Sequence, residues 1–157
     1  MDHRSVARVR DNQCGISHVT QSVTAAIKRV HVVAGIVRDT RGHILISRRH
    51  EHLHQGGLWE FPGGKVEADE SVGEALAREL LEELAVTVLV AEPFRQIRHD
   101  YPDKSVLLDF WLVSEFSGDA RGVEGQPIEW VSVAALRDYE FPAANVPIVD
   151  ALIERFA

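Results

Sequence analysis

The chain is short of cysteine, of long apolar runs and of net positive charge, and each shortage removes a class of protein. Its single cysteine, Cys14, cannot close an internal disulfide and stands in no recognisable motif, so a reduced compartment, the cytoplasm, is expected. No stretch approaches the roughly 18 apolar residues that span a bilayer, and no membrane partner is expected. The first 29 residues carry Arg4, Arg8, Arg10, Lys28 and Arg29 around no apolar centre, which argues against a secretory signal. Twenty-four acids against 17 bases give a net charge of −7, so there is no basic face for a duplex phosphate backbone, and duplex nucleic acid is set aside as a partner.

What remains is an ordinary soluble composition, 45% hydrophobic and 26% charged over 157 residues, enough for one domain that needs no staples. The charge is concentrated. From Glu60 to Glu92 nine acids face only Lys65 and Arg78, and this window carries the whole −7. The expected organisation is a flexible N-terminal extension, 1–29, and a single domain, 30–157. Monomer or small homo-oligomer is left open.

From Val30 the pattern becomes regular. Val32, Val33, Ile36 and Val37 form a β-branched run, Asp39-Thr40-Arg41-Gly42 a turn cluster, and His43 to Ser47 a returning strand, which together predict a hairpin. Leu58 to Phe61 reads as a short strand stopped by Pro62-Gly63-Gly64, with a long loop to Glu70. Ser71 with Glu74 has the capping-box spacing and predicts a helix running to about Leu84. Strands are expected over 86–90, 94–98, 105–113 and 128–133, and a closing helix over 146–156. Periodicity thus supports a mixed α/β class.

On the predicted helix, a turn of about 100° per residue gathers Glu79, Glu82 and Glu83 into one wedge beside a stripe of Leu76, Ala77, Leu80, Leu81 and Leu84. No lysine stands one turn away on the acidic face, so the cluster calls for a bound cation. Hard carboxylate oxygens select Mg²⁺, with Mn²⁺ as a substitute, over zinc. Magnesium prefers to bind together with substrate phosphate, which points to a metal-bound phosphate ester. Gly63-Gly64 would let the backbone approach metal or phosphate with free φ and offer a carbonyl ligand, and Lys65 adds a point charge for phosphate.

The spacing is Gly64, five residues, Glu70, seven residues, then Arg78-Glu79-Leu80-Leu81-Glu82-Glu83-Leu84 and Ala85-Val86. It resembles the signature box of the Nudix hydrolases, which act on nucleoside diphosphates linked to another group. One position departs, Ala85, where the family usually has a glycine suited to φ > 0. The resemblance runs over about 30–156 and points to the MutT branch, which removes oxidised guanine nucleotides. Leu58 to Lys65 looks like the segment that leads into the box, Glu124-Gly125-Gln126-Pro127 like the late acidic loop, and Phe141 to Asn145 like the base-reading segment. It implies a Nudix α/β/α sandwich, a mixed β-sheet between helices. It further implies metal ligation by the Gly63 carbonyl, Glu79, Glu82, Glu83 and Glu124, with Arg78 orienting the glutamates, and a nucleoside pocket of Arg49, His54, Phe61 and Asn145.

Several residues have plainer alternatives. Asn145 could be the N-cap of the closing helix, Phe61 a core ring, and His50, His52 and His54 solvated loop histidines rather than a zinc site. The reaction implied is hydrolysis of 8-oxo-dGTP to monophosphate and pyrophosphate, with in-line attack at the β-phosphorus aided by cations. Glu79, Glu82, Glu70 and Glu124 are the candidate general bases, and Glu79 and Glu82 are expected to be indispensable. The alternatives are another nucleotide, such as CTP or dihydroneopterin triphosphate, and a sensor that binds without cleaving. Retention of Glu70, Glu79, Glu82 and Glu83 speaks against a sensor.

Overall fold

The computed structural model describes residues 27–53 and 55–157, so Cys14, His54 and most of the 1–29 extension lie outside it. The elements in chain order are β1 (Lys28–Val37), β2 (Ile44–Arg48), β3 (Trp59–Glu60), β4 (Gly63–Lys65), α1 (Val72–Leu84), β5 (Thr87–Asp100), β6 (Lys104–Ser117), β7 (Ile128–Val131) and α2 (Val146–Phe156). A four-stranded mixed sheet has the order β4-β1-β6-β5, with β1 and β6 parallel, and a three-stranded antiparallel sheet has the order β3-β2-β7.

Alternation along β1 builds the two layers of core. Val33 and Val37 point to the side covered by α1, where they join Leu45, Leu76, Leu80 and Leu84. Ala34 and Ile36 point the other way, into a cluster with Phe110, Ile148 and Leu152 under α2. The mixed sheet therefore lies between helices, as the resemblance implied. Burying a leucine side chain is worth about 1.5–3 kcal/mol, and three in α1 are fully buried. That outweighs the few tenths of a kcal/mol that each like-charged pair costs on the opposite face. Gly35 lets the helix come close: a Cβ there would stand 3.0 Å from Leu76 Cδ1 and 3.1 Å from Leu80 Cδ1.

Three local expectations need correction. The turn after β1 forms, with the Asp39 N–H donating to His43 O at 3.0 Å, but β1 and β2 do not continue as a hairpin beyond the single bridge Arg38–Ile44. Both hydrogen-bonding edges of β1 are already occupied, by β4 and β6. The segment Gly63 to Lys65, read as a turn and loop, is a strand paired with β1. The two strands expected over 86–98 merge into β5, with register irregularities between Val88 and Arg95. Pro93 is tolerated there because β5 is an edge strand. β1 also opens at Lys28, two residues before the expected domain start.

The start of α1 matches its sequence signal. Ser71 Oγ accepts from the Glu74 N–H at 3.1 Å while Glu74 Oε1 accepts from the Ser71 N–H at 2.9 Å. At the other end Ala85 adopts φ 60° and ψ 32°, and its N–H reaches the carbonyls of Leu80 and Leu81. The helix thus exits as a glycine-terminated one would, with an alanine held in the left-handed region. An Ala85→Gly variant is expected to raise unfolding stability by about 1 kcal/mol by removing that strain. Urea denaturation measures this; an unchanged midpoint would mean that the alanine conformation carries no cost here.

Candidate functional site

Arg78 is the hub of the acidic helix. Its Nε and Nη2 donate to the two oxygens of Glu70 at 2.6 and 2.9 Å, its Nη1 to Glu79 Oε2 at 3.2 Å and Glu82 Oε1 at 3.3 Å, and its Nη2 also to the Lys65 carbonyl at 3.1 Å. Part of the counter-charge for the acidic face is therefore internal, because Arg78 stands one turn before Glu82. The bidentate contact holds the Glu70 carboxyl down at about 2 and raises the Arg78 guanidinium still further. A carboxylate held that low is a weak base at neutral pH.

What Arg78 leaves uncompensated is Glu83. Burial pushes its carboxyl up to about 8, reinforced by the charges of Glu79, Glu124 and Glu60 and opposed by a hydrogen bond from the Gly63 backbone. Burial also raises Glu79, against the pull of Arg78. Glu124 arrives from a distant loop that is latched to the end of α1. The Val123 N–H donates to Glu83 O at 3.0 Å, Gln126 Nε2 to the same carbonyl at 3.2 Å, and the Glu124 N–H to Gln126 Oε1 at 2.9 Å.

Gly63 and Gly64 are required for space rather than for φ, since neither has a positive φ. A Cβ on Gly63 would lie within overlap of the Val33 carbonyl, and one on Gly64 would occupy the Glu79 carboxylate. The strand thus runs flush against the helix, and no side chain separates its backbone from the glutamates. Together these elements border a cavity of about 300 Å³, with Arg49, Glu60, Gly63, Lys65, Glu83 and Glu124 in its wall.

A second cavity, of about 170 Å³, adjoins it and is bordered by Arg49, Glu60, His99, Tyr101, Ala144 and Asn145. Asn145 stands at the N-cap position of α2 but makes no side-chain capping bond, so its amide is left beside this cavity. Phe61 takes the core reading: it is 4% exposed and stacked on Phe141 with centroids 5.2 Å apart, reaching the first cavity only as part of its wall. His50 and His52 stack on each other in the loop, and His54 lies outside the described residues. Sequence reasoning does not find Glu60, His99 or Tyr101. His99 and Tyr101 lie one on each side of Asp100 near the end of β5, and only the strand pairing brings them opposite Asn145.

The profile of the NUDIX domain matches residues 33–151. The chain belongs to the Nudix family. It is 38% identical over 126 residues to the 8-oxo-dGTP diphosphatase of Escherichia coli K12, covering 80% of this chain and 98% of that one. It is also 36% identical over 127 residues to the CTP pyrophosphohydrolase of the same organism, covering 81% and 93%. A solved MutT structure from work on the Aliivibrio salmonicida and Vibrio cholerae proteins superposes with a TM-score of 0.74 at 45% identity, covering 82% of this chain and all of that one.

The donor set of this Nudix site suits a hard divalent cation, being all carboxylate and carbonyl oxygen. Among the described residues no three such groups are gathered at coordination geometry, because Glu79 and Glu82 are turned onto Arg78. The convergence of Glu79, Glu124 and Glu60 on Glu83 is the observation that fits a cation, since a bound positive charge relieves it, as a proton on Glu83 also does. Without one, the folded state holds a proton on Glu83 more tightly than the unfolded chain does. The contribution of Glu83 to stability is then fully present below the ordinary carboxylate value of 4.5 and is lost as pH rises toward 8. Thermal unfolding in chelator across pH 5 to 8 is expected to show this decline, and Glu83→Gln should flatten it. An equal decline in the variant would place the repulsion elsewhere.

Proposed function

We propose that this Nudix protein is an Mg²⁺-dependent nucleoside triphosphate pyrophosphohydrolase that converts 8-oxo-dGTP to 8-oxo-dGMP and pyrophosphate, clearing a mutagenic nucleotide from the cytoplasmic pool. The observation that carries the reading is the pair of adjoining cavities. One is lined by carboxylates and backbone for a metal-bound phosphate chain, and the other holds an uncapped amide, Asn145, for a base. The similarity to an 8-oxo-dGTP diphosphatase supports the choice of base. The proposed catalytic domain is 30–157, preceded by the extension 1–29.

Glu79, Glu82, Glu83, Glu124 and the Gly63 carbonyl would hold magnesium, or manganese in its place. When bound, the cation supplies charge neutralisation of the phosphates and lowers the proton affinity of water. Arg78 holds Glu79 and Glu82 in place, and Glu70 fixes Arg78. Glu79, Glu82, Glu124 and Glu70 stand as candidates for the group that takes the water's proton, Glu70 the least free of them because Arg78 engages both its oxygens. Lys65 meets the phosphate chain as a point charge. An amide both donates and accepts, so Asn145 can pair with O6 and N7–H of an 8-oxopurine at once. Ordinary guanine has no proton on N7, and the mismatch costs about 1–3 kcal/mol.

Glu79→Gln preserves shape but removes a ligand charge, and turnover should fall about 10²- to 10⁴-fold with the fold intact. Pyrophosphate release measures it, and near-normal turnover would remove Glu79 from the site. The similarity to a CTP pyrophosphohydrolase favours CTP as the second reading. Hydrolysis of 8-oxo-dGTP, dGTP, CTP and dihydroneopterin triphosphate by wild type and Asn145→Ala separates the two. A preference for the oxidised base that collapses in the variant is expected; a wild type that prefers CTP would install the second reading, and one that binds without releasing pyrophosphate would be a sensor.

A further inference from the structure

Val32, Arg49 and Glu60 border both cavities. Val32 belongs to the sheet, so the partition between the cavities is the ion pair in which Arg49 Nη1 donates to Glu60 Oε1 at 3.2 Å, the two side chains 30% and 31% exposed. We propose that Glu60 is a positioning residue acting through Arg49: it holds the guanidinium at the boundary of the two cavities, where the phosphate chain of a nucleoside triphosphate joins its sugar. This rests on the pyrophosphohydrolase reading but not on which base is preferred.

The backbone under Glu60 is fixed from both sides. Glu60 is paired with Ser47 of β2, the Arg49 N–H donates to Leu58 O at 2.9 Å, and the Trp59 N–H donates to Glu140 O at 2.8 Å just before the Asn145 segment. Arg49 projects beyond the end of β2 on a long stem with several rotatable bonds. Glu83 and Glu124 border the same cavity as Arg49 and attract it as well. Glu60 therefore keeps the guanidinium from falling into the acidic cluster, where it would neutralise carboxylates needed by the cation. A carboxylate at position 60 serves the substrate by restraining a cation, even though it adds to the local negative charge.

Glu60→Gln keeps the shape and weakens the restraint to a neutral hydrogen bond, so KM for the triphosphate should rise about tenfold, the scale of the charge assistance lost, with the loss falling on KM more than on kcat. Affinity for the monophosphate of the nucleotide that the wild type turns over fastest, read by calorimetry in chelator, should weaken in parallel. Arg49→Ala should do the same, and the double variant should be no worse than Arg49→Ala alone, since Glu60 acts only through that side chain. Glu60→Asp, which keeps the charge but withdraws it, should fall between and stands in if the Gln variant does not fold. The assay uses whichever of 8-oxo-dGTP, dGTP and CTP the wild type turns over fastest. An unchanged KM in Glu60→Gln, or additive losses in the double variant, overturns the role of Glu60 alone; a wild type that cleaves none of the three overturns the functional reading and this role with it.

Discussion

Carboxylates that repel one another are held in one place by the leucines on the other side of the same helix. Leu76, Leu80 and Leu84 are fully buried against β1, and the close approach depends on Gly35 having no Cβ. The apolar face thus bears the cost of the polar one. Arg78 then divides the charge unevenly, engaging Glu70, Glu79 and Glu82 while Glu83 stays half-buried among like charges. The unrelieved carboxyl is the part of the site that a bound cation would relieve.

The sheet extends that constraint to the substrate. β1 is gripped along one edge by the glycine strand that lies against Glu79 and along the other by β6. Val32, in the wall of both cavities, is the β1 neighbour of Val33, which packs under α1 from the other face of the sheet. The loop carrying Glu124 is tied to the carbonyls of Glu83 and Leu84 at the helix end. The acidic cavity is built from five chain segments, and each is anchored by backbone hydrogen bonds rather than by side chains alone. Such anchoring holds a site open in advance of its ligand, so that less ordering is needed on binding.

Much of this site is legible in the order of its residues. The capping box at Ser71, the leucine stripe and the glutamate wedge follow from spacings inside one helix, and the left-handed demand at Ala85 from the resemblance to the Nudix box. Other features are invisible in the sequence or misleading there. The glycine pair suggests free φ, whereas its backbone is unexceptional and the requirement is a contact with Val33 and Glu79. The run after β1 looks like a hairpin because its turn is real; β2 pairs elsewhere because both edges of β1 are taken. Asn145 admits two readings, and only the structure shows that it takes the N-cap position of α2 without making a capping bond.

The amino-acid sequence by itself determined the chemistry that could be present: which carboxylates share a helical face, where that helix starts and stops, and that the net charge of the chain resides in one window. These depend on interactions within a turn or two, where the helical repeat converts spacing directly into geometry. The tertiary structure decided which charges are relieved and which are not, and which residues meet across the chain, as Glu124 meets Glu83 and as Arg49 and Glu60 meet between the cavities. Such meetings are set by strand register and by packing of the two cores, in which long-range contacts form only when the whole sheet is assembled.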